Sequence, residues 1–345
     1  GDTLIDNQAG DLNINGLIVQ TGNKLVVKNS GDFLNINNKE DDKGIFAQNA
    51  NVTLYNTGKG MDIAGNIVST AGENKNISII NKNGDLNTKG AAISMSNGRI
   101  NIANSGNQMN LDEKTVIENK QGMTTFSNSG AQGARIDATI INNGIANITN
   151  KAGDLVTNAQ IQNKNGKLEI VNNGNSLTVG GNAMISNDGD LKIANTGAGG
   201  MNIQGFIENN GSTAISNWNG DMVISGKVEN QNGKMNITSA KQSNGLHLTK
   251  EGQLLNNNDE LYIQNTGKNG MTLDGEVKNN SNTTIFNTKG DLQVNGLVQN
   301  KGELMISNRG GNFALGNDAI IKNNGKTTLR NNNIKGMTIG GTLLN

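Results

Sequence analysis

The chain has 345 residues, of which 47 are Gly, 66 are Asn and none is Pro or Cys. Only 33% of the residues are hydrophobic, which is too few to fill the core of an ordinary layered globular domain easily. The lack of Cys excludes disulfides and thiol chemistry. With 29 basic and 29 acidic residues the formal net charge is zero, which disfavours nucleic acid and anionic membranes as partners. No apolar run reaches the roughly 18 residues of a membrane span.

Short runs that alternate apolar and polar residues recur along the chain, and a period of two predicts strands with one buried face. In chain order the clearest runs are residues 12–14, 191–193, 201–203, 261–263 and 304–306. No window of comparable strength has the helical period of about 3.6. The sequence therefore predicts essentially no helix.

Many of these strands end in Asn at a regular interval. From Asn29 to Asn331 is 302 residues over 13 intervals, or about 23 residues per repeat, and Ser239 fills the one position that lacks Asn. A repeat this short must stack on its neighbours, and stacked amides can bond to the backbone and to each other. The predicted structural ladder consists of Asn7, Asn29, Asn56, Asn81, Asn104, Asn128, Asn150, Asn172, Asn195, Asn217, Asn265, Asn287, Asn308 and Asn331.

A second Asn register lies half a repeat away, in runs such as Ile140-x-Asn142 and Val298-x-Asn300. Each repeat then holds three short strands separated by Gly or Asn corners, and the even spacing favours parallel pairing over hairpins. The sequence predicts an all-β parallel β-helix of about 15 coils of about 23 residues. Five Gly-Asp pairs, at Asp11, Asp85, Asp154, Asp221 and Asp291, form a series with a spacing of about 70 residues, which groups the coils in threes. Residues 1–345 are expected to form a single continuous domain.

The Gly-Asp pairs are the motif nearest to a calcium-binding repeat. Successive Asp residues of the 70-residue series are three coils apart. At about 4.8 Å per coil they lie roughly 14 Å from each other along the stack, which is too far to share an ion. We interpret these residues as caps of turns, at Asp11, Asp85, Asp154, Asp221 and Asp291. No metal and no cofactor are predicted.

Candidate catalytic groups are few. The single His, His247, lies between Leu246 and Leu248, so its side chain is expected on the outer face, without an evident carboxylate partner in the neighbouring sequence. Cys-based zinc sites have no ligands, and neither a P-loop at a strand-to-helix junction nor a nucleophile elbow with a His partner is present. The sequence predicts that the chain is not an enzyme.

Two places depart from the repeat and are the candidates for surface binding. An acidic loop with Glu40, Asp41 and Asp42 lengthens one coil, and loops that bulge from a solenoid are its usual binding positions. Trp218 is expected outside a corner, where an exposed Trp can anchor a sugar or a protein. A tolerated insertion and a Trp packed on a neighbouring corner are the alternative interpretations.

The runs Asn-Thr-Gly-Ala-Gly-Gly-Met-Asn-Ile-Gln-Gly at 195–205 and Asn-Lys-Ala-Gly-Asp-Leu at 150–155 are tiled in variant form along the chain. In this the chain resembles the repeat regions of filamentous haemagglutinin-like exoproteins, which Gram-negative bacteria export by two-partner secretion, and most of all the leukotoxin-like filamentous adhesins. The resemblance implies a right-handed β-helical shaft, an outer-membrane transporter for the parent protein and a secreted or cell-surface location. The secretion domain of these proteins contains Asn-Pro, and this chain has no Pro. The chain is therefore expected to be an internal stretch of a longer exoprotein.

The expected function is a structural and adhesive shaft segment of a large exoprotein, either an adhesin or a leukotoxin. A host cell-surface protein or glycan is the expected partner, and end-to-end self-association is a further expected contact. The alternative is a polysaccharide-binding or polysaccharide-degrading β-helix protein, which needs charged side chains from neighbouring coils to converge on one outer groove. An ice-binding solenoid is disfavoured because the Thr residues do not recur at fixed positions.

Overall fold

The computed structural model of the chain describes residues 1–37, 44–70, 72 and 74–345, with the backbone alone for Lys241. Its internal contacts divide it into two compact units, Gly1–Gly174 and Asn175–Asn345. The described residues of both units form strands and turns and contain no helix, hence none long and apolar enough to cross a membrane. The single continuous domain over residues 1–345 stays a prediction.

In the unit Gly1–Gly174, coils of three strands follow one another. The strands are β1 (Thr3–Asn7), β2 (Leu12–Ile14), β3 (Leu17–Thr21), β4 (Lys24–Asn29), β5 (Phe33–Ile36), β6 (Gly44–Gln48), β7 (Asn51–Asn56), β8 (Gly60–Ile63), β9 (Asn66–Ser69), β10 (Asn76–Asn81), β11 (Leu86–Thr88), β12 (Ala92–Met95), β13 (Gly98–Asn104), β14 (Gln108–Leu111), β15 (Val116–Asn128), β16 (Gly133–Ile136), β17 (Thr139–Asn150), β18 (Leu155–Thr157), β19 (Gln160–Lys164) and β20 (Leu168–Asn172). In β15 and β17 the third strand of one coil continues into the first strand of the next.

The unit Asn175–Asn345 is built in the same way. Its strands are β21 (Ser176–Val179), β22 (Met184–Asn187), β23 (Leu191–Asn195), β24 (Gly200–Ile203), β25 (Phe206–Asn209), β26 (Thr213–Ile224), β27 (Lys227–Asn230), β28 (Met235–Leu248), β29 (Gln253–Asn256), β30 (Leu261–Asn265), β31 (Gly270–Leu273), β32 (Glu276–Asn279), β33 (Thr283–Asn287), β34 (Leu292–Val294), β35 (Leu297–Asn300), β36 (Leu304–Asn308), β37 (Phe313–Leu315), β38 (Ile320–Asn323), β39 (Thr327–Asn331), β40 (Met337–Ile339) and β41 (Thr342–Leu344). In β26 and β28 the first strand of a coil continues into the second.

Strand pairing follows the repeat. Each first strand pairs in parallel with the first strands of the adjacent coils, so that Leu25 of β4 lies opposite Val52 of β7 and Asn29 lies opposite Asn56. The predicted right-handed parallel β-helix is confirmed, with about 14 turns over the described residues. The sequence estimate of about 15 coils counted ladder positions, and 15 positions bound only 14 complete turns.

Inward side chains of equivalent strands form apolar columns. On the first strands Leu25, Val52, Ile77 and Ile100 are each 0% exposed, and each lies in register with the next. Adjacent coils are about 4.8 Å apart, so each side chain packs on its equivalents above and below. Burying one such side chain contributes about 1.5–3 kcal/mol, which holds together coils that have no core of their own.

One corner depends on glycine. Gly122, inside β15, has a φ of 130°, which side chains rarely adopt, and a Cβ there would lie 2.0 Å from the carbonyl oxygen of Gly98. Gly98 and Gly144 occupy the same register in the adjacent coils, with φ of 124° and 133°. Backbone therefore contacts backbone directly at this corner, which any larger residue would prevent.

In three of the five Gly-Asp pairs of the 70-residue series the carboxylate bonds to the backbone of the next coil, whereas the sequence analysis expected it to cap its own turn. The Asp11 carboxylate accepts a hydrogen bond from the N–H of Phe33 at 3.0 Å, and the Asp291 carboxylate accepts one from the N–H of Asn312 at 2.8 Å. Asp85 makes the same kind of bond. In each case the acceptor lies one coil before the donor and pairs a backbone group near the start of a second strand.

Candidate functional site

The predicted ladder lies inside the corner between the first and second strands of each coil, and we call it the first ladder. In Gly1–Gly174 the Nδ2 of each amide donates to the Oδ1 of the next, at 2.7 Å from Asn7 to Asn29 and 2.8 Å from Asn29 to Asn56. The bond continues at 2.7–2.8 Å through Asn81, Asn104, Asn128, Asn150 and Asn172. The ladder predicted for this unit is confirmed.

Each first-ladder amide also holds its own corner. The Nδ2 of Asn56 donates to the carbonyl oxygen of Gly60 at 3.0 Å, and its Oδ1 accepts from the N–H of Gly58 at 3.3 Å. These backbone groups leave the strand ladder at the bend and need partners elsewhere. One buried amide therefore links three coils and closes a turn, and Asn56 is 0% exposed.

In Asn175–Asn345 the first ladder has two runs. Asn195 donates to Asn217 at 2.9 Å, and a second run starts with Asn265, which donates to Asn287 at 2.8 Å. The second run continues through Asn308 and Asn331. Both runs contain only predicted ladder residues.

Ser239 stands between these runs, in register with Asn217 and Asn265 and 0% exposed. Its hydroxyl hydrogen-bonds to that of Ser243 and donates to the carbonyl oxygen of Gly245 at 3.1 Å. Ser243 Oγ also lies 3.0 Å from the carbonyl oxygen of Gly220. Two short hydroxyls thus occupy the space of one amide.

A second ladder lies inside the corner between the third strand and the next first strand, and sequence reasoning did not assign it. Asn142 donates to Asn163 at 2.6 Å in one unit, and Asn187 donates to Asn209 at 2.7 Å in the other. Further members in the second unit are Asn230, Asn256, Asn279, Asn300 and Asn323. The signal was present, because each of these Asn residues follows a buried Ile, Val or Leu by two positions, as in the first ladder.

In Gly1–Gly174 the Asn residues of the second ladder begin after Met95. This side chain is 1% exposed and lies in register between Ser69 and Asn119. The Oγ of Ser69 and the Oδ1 of Asn119 are buried and have no hydrogen-bond partner in the described part of the chain. An apolar side chain in the stack therefore leaves a polar atom unpaired on each side.

Of the predicted surface-binding residues, the structure describes only Trp218. Trp218 is 41% exposed and follows Asn217 in β26, outside the first-ladder corner as expected. Glu40, Asp41 and Asp42 lie outside the described residues. A binding role for either position stays a prediction.

His247 lies on the outer face, as expected, and has a carboxylate partner that lies outside the neighbouring sequence. Its Nε2 lies 2.8 Å from Oδ2 of Asp274, and the other oxygen of Asp274 accepts from Nδ2 of Asn295 at 2.6 Å. The partner lies in the next coil, 27 residues downstream, rather than in the neighbouring sequence. The His247 and Asp274 side chains are 45% and 29% exposed, so the pair is a surface ion pair on the outer face when His247 is protonated.

The outer side of the second-ladder corner carries a groove in each unit. The Tyr262 groove, of about 380 Å³, crosses the coils of β30, β33, β36 and β39 and is lined by Glu260, Leu261, Tyr262, Asn282, Thr283, Thr284, Glu303, Leu304, Met305, Lys326 and Thr328. The Arg99 groove, of about 640 Å³, lies at the start of β7, β10 and β13 and is lined by Asn51, Asn74, Lys75, Asn76, Asn97, Gly98, Arg99, Gln121, Gly122 and Met123. The two grooves differ in charge, because the lining of the first contains both signs and that of the second contains two cations and no carboxylate among the described residues.

No group of three or more His, Cys, Asp or Glu side chains in the described ranges could hold a metal ion. Comparisons with protein-family models, with curated proteins and with solved structures find no match for the chain. Function must therefore be argued from the ladders and the outer grooves themselves.

Proposed function

We propose that this chain is a structural and adhesive shaft segment of a larger secreted or surface-displayed bacterial exoprotein. The observation that carries the proposal is that the interior of the coils is occupied by side chains that stack one coil on the next. In both units the inward positions are filled by aliphatic columns and by amide ladders that join one coil to the next. Such a fold gains length by adding equivalent coils and leaves the outer surface for weak contacts that repeat along it.

A shaft that carries load must resist stretching, and the coil-to-coil bonds supply that resistance. Pulling the chain from its two ends in an optical trap should show a stiff response followed by abrupt unfolding steps. Asn104→Leu, which breaks the first ladder, should lower the force of the first step, whereas the outward Asn101→Leu on the same strand should leave it unchanged. Gradual extension at low force would contradict the shaft role.

The adhesive role is tested separately with beads that carry many copies of the folded chain. Because each contact is expected to be weak, adhesion to host epithelial cells should rise steeply with the surface density of the chain. Beads coated with heat-unfolded chain are the control. Equal adhesion of folded and unfolded chain at every density would remove the adhesive half of the proposal.

The alternative, a polysaccharide-binding or polysaccharide-degrading β-helix protein, is favoured by one observation, the Tyr262 groove. It gathers Glu260, Glu303 and Lys326 from different coils on one outer surface, which is the arrangement that this function needs. Release of new reducing ends from a polysaccharide, abolished by Glu303→Gln, would place the degrading function first.

A further inference from the structure

The Tyr262 groove has the size and the length of a site for an oligosaccharide. Its volume of about 380 Å³ lies within the range of about 300–1,000 Å³ that is usual for ligand sites. Glu260, Asn282, Glu303 and Lys326 come from four successive coils, and each precedes a first strand. At about 4.8 Å per coil the groove runs roughly 14 Å along the stack, long enough for a short linear chain of sugars.

The floor of the groove is held by the second ladder. Asn279 donates from Nδ2 to the carbonyl oxygen of Asn282 at 2.7 Å, and Asn300 donates to that of Gly302 at 2.8 Å. These bonds fix the corner backbone from inside, while the side chains before each first strand project outside. The groove is therefore preformed, which lowers the entropy that binding would cost.

Tyr262 supplies an aromatic surface. It is half-buried on the outer face of β30, in register with Thr284 of β33, and Met305 and Thr328 follow in the next two coils. Burial raises the pKa of the Tyr262 hydroxyl, so it stays a neutral donor and acceptor near pH 7. An aromatic face with the Thr284 hydroxyl in the next coil matches a pyranose ring, which has an apolar C–H face and a polar rim.

The charges of the groove balance. Glu260 forms an ion pair with Lys234 at 2.8 Å. Glu303 and Lys326 have no side-chain ion pair or hydrogen bond within the described ranges, so one carboxylate and one ammonium group are open to a ligand. The carboxylate can accept hydrogen bonds from sugar hydroxyls and the ammonium can donate to them, whereas a site with both signs gives a ligand of either net charge no net attraction.

From these four observations we infer that the Tyr262 groove binds an uncharged, linear polysaccharide that lies along the stacking direction of the coils. Tyr262 stacks on one sugar ring, and Glu303 and Lys326 hydrogen-bond to the hydroxyls of its neighbours. The inference deepens the adhesive part of the proposed function and rests on it. The shaft role does not depend on it, because the shaft role is tested by force.

The test is an array of neutral and anionic oligosaccharides probed with the full chain, followed by calorimetry with the best neutral ligand. Tyr262→Ala should weaken binding about tenfold, which corresponds to roughly 1.4 kcal/mol, whereas Tyr262→Phe should keep most of it. Glu303→Gln should also weaken binding, because it removes the carboxylate while the aromatic ring of Tyr262 stays in place. Tyr55→Ala is the matched control, since Tyr55 is the other of the two Tyr residues in the chain and also lies on the outer face of a first strand.

A melting curve of each variant separates lost binding from lost folding. The inference is overturned if no neutral glycan binds, or if binding survives Tyr262→Ala in a folded variant. It is equally overturned if only anionic glycans bind, since the Arg99 groove, with Lys75 and Arg99, would then be the better site. If the chain still shows a stiff response and abrupt unfolding steps under force in these cases, the shaft proposal is retained.

Discussion

A ladder register holds Met95 in place of Asn in Gly1–Gly174 and Ser239 in place of Asn in Asn175–Asn345, and these two exceptions are accommodated differently. Around Met95 the stack keeps its register, and the polar atoms on either side, Ser69 Oγ and Asn119 Oδ1, stay unpaired. Around Ser239 the polar groups are paired, because Ser243 joins the stack. Here the register shifts and β28 runs for 14 residues.

The difference shows what a ladder position requires. A side chain of the right volume keeps the coils in register even when it is apolar, but its neighbours then lose hydrogen bonds. A short polar side chain can keep the hydrogen bonds, but it leaves space that a longer corner must fill. Asn meets both requirements at once, since its amide bonds on both sides and fits one coil spacing.

The largest effect is expected where an amide is placed in an apolar column. Met109 is 0% exposed and stacks on Leu86, so Met109→Asn should lower the free energy of unfolding by about 4 kcal/mol through lost burial and an unpaired amide. Met95→Asn loses similar burial but gives Ser69 and Asn119 a partner, so its loss should be about 1 kcal/mol or less. Urea denaturation measures both, and equal losses would show that the gap at Met95 is not a ladder position.

Breaking the continuous ladder comes next. Asn104 accepts from Asn81 and donates to Asn128, each at 2.8 Å, and Asn104→Leu leaves both without that bond. We expect a loss of about 3 kcal/mol in the free energy of unfolding. The control is Asn101→Leu, on the outer face of the same strand β13, with an expected change below about 0.5 kcal/mol. A larger effect at Asn101 would mean that the assigned faces of the strand are reversed.

A smaller effect is expected at the compensated interruption. Ser243→Ala removes a hydroxyl that pairs with Ser239 and lies 3.0 Å from the Gly220 carbonyl oxygen, so a loss of about 1–2 kcal/mol is expected. Ser216→Ala, at an outward position of β26, should change stability by less than about 0.5 kcal/mol. If Ser243→Ala behaves like its control, Ser243 is not a substitute for the missing amide.

The smallest effect is expected from pH, because the ladder amides do not titrate. A hydrogen bond from Lys227, at 2.6 Å, holds the pKa of Glu229 below its usual 4.5. That stabilisation is complete above pH 4.5 and is lost as the pH falls through the lower folded pKa, at a cost below about 1 kcal/mol.

At the basic end the signs are opposite. Asp32 and Glu260 raise the pKa of Lys59 and Lys234 above 10.5, so their contribution is present below that pH and is lost as the pH rises through the folded values. Melting temperature should therefore be flat between about pH 5 and pH 10. A steep change inside that window would mean that ion pairs, rather than amides, hold the coils together.

The sequence predicted the fold because the interior repeats strictly. Alternation gave the strands, and the recurrence of Asn from Asn29 to Asn331 gave the coil length and the first ladder. The second ladder was missed although its register was seen. In the early coils that register holds Ala47, Ser69 and Met95 instead of Asn, so the pattern is weaker from its start.

The outer surface could not be predicted in the same way. The Tyr262 groove takes Glu260, Asn282, Glu303 and Lys326 from equivalent positions, but these four positions hold three different residue types, so a repeat search would not detect them. The partner of His247 was missed because Asp274 lies in the next coil, two residues beyond Thr272, the residue in register with His247. Only the packing of one coil on the next reveals which outward residues meet.

The first ladder of Gly1–Gly174 also has an electrical direction. All seven bonds from Asn7 to Asn172 run in the same direction, with the earlier amide as donor and the later one as acceptor, so the amide dipoles lie head to tail and polarise one another. Reversing one amide would bring two NH2 groups together on one side and two carbonyl oxygens on the other. The orientation of each amide is thus dictated by its neighbour, and every added coil lengthens the same aligned dipole.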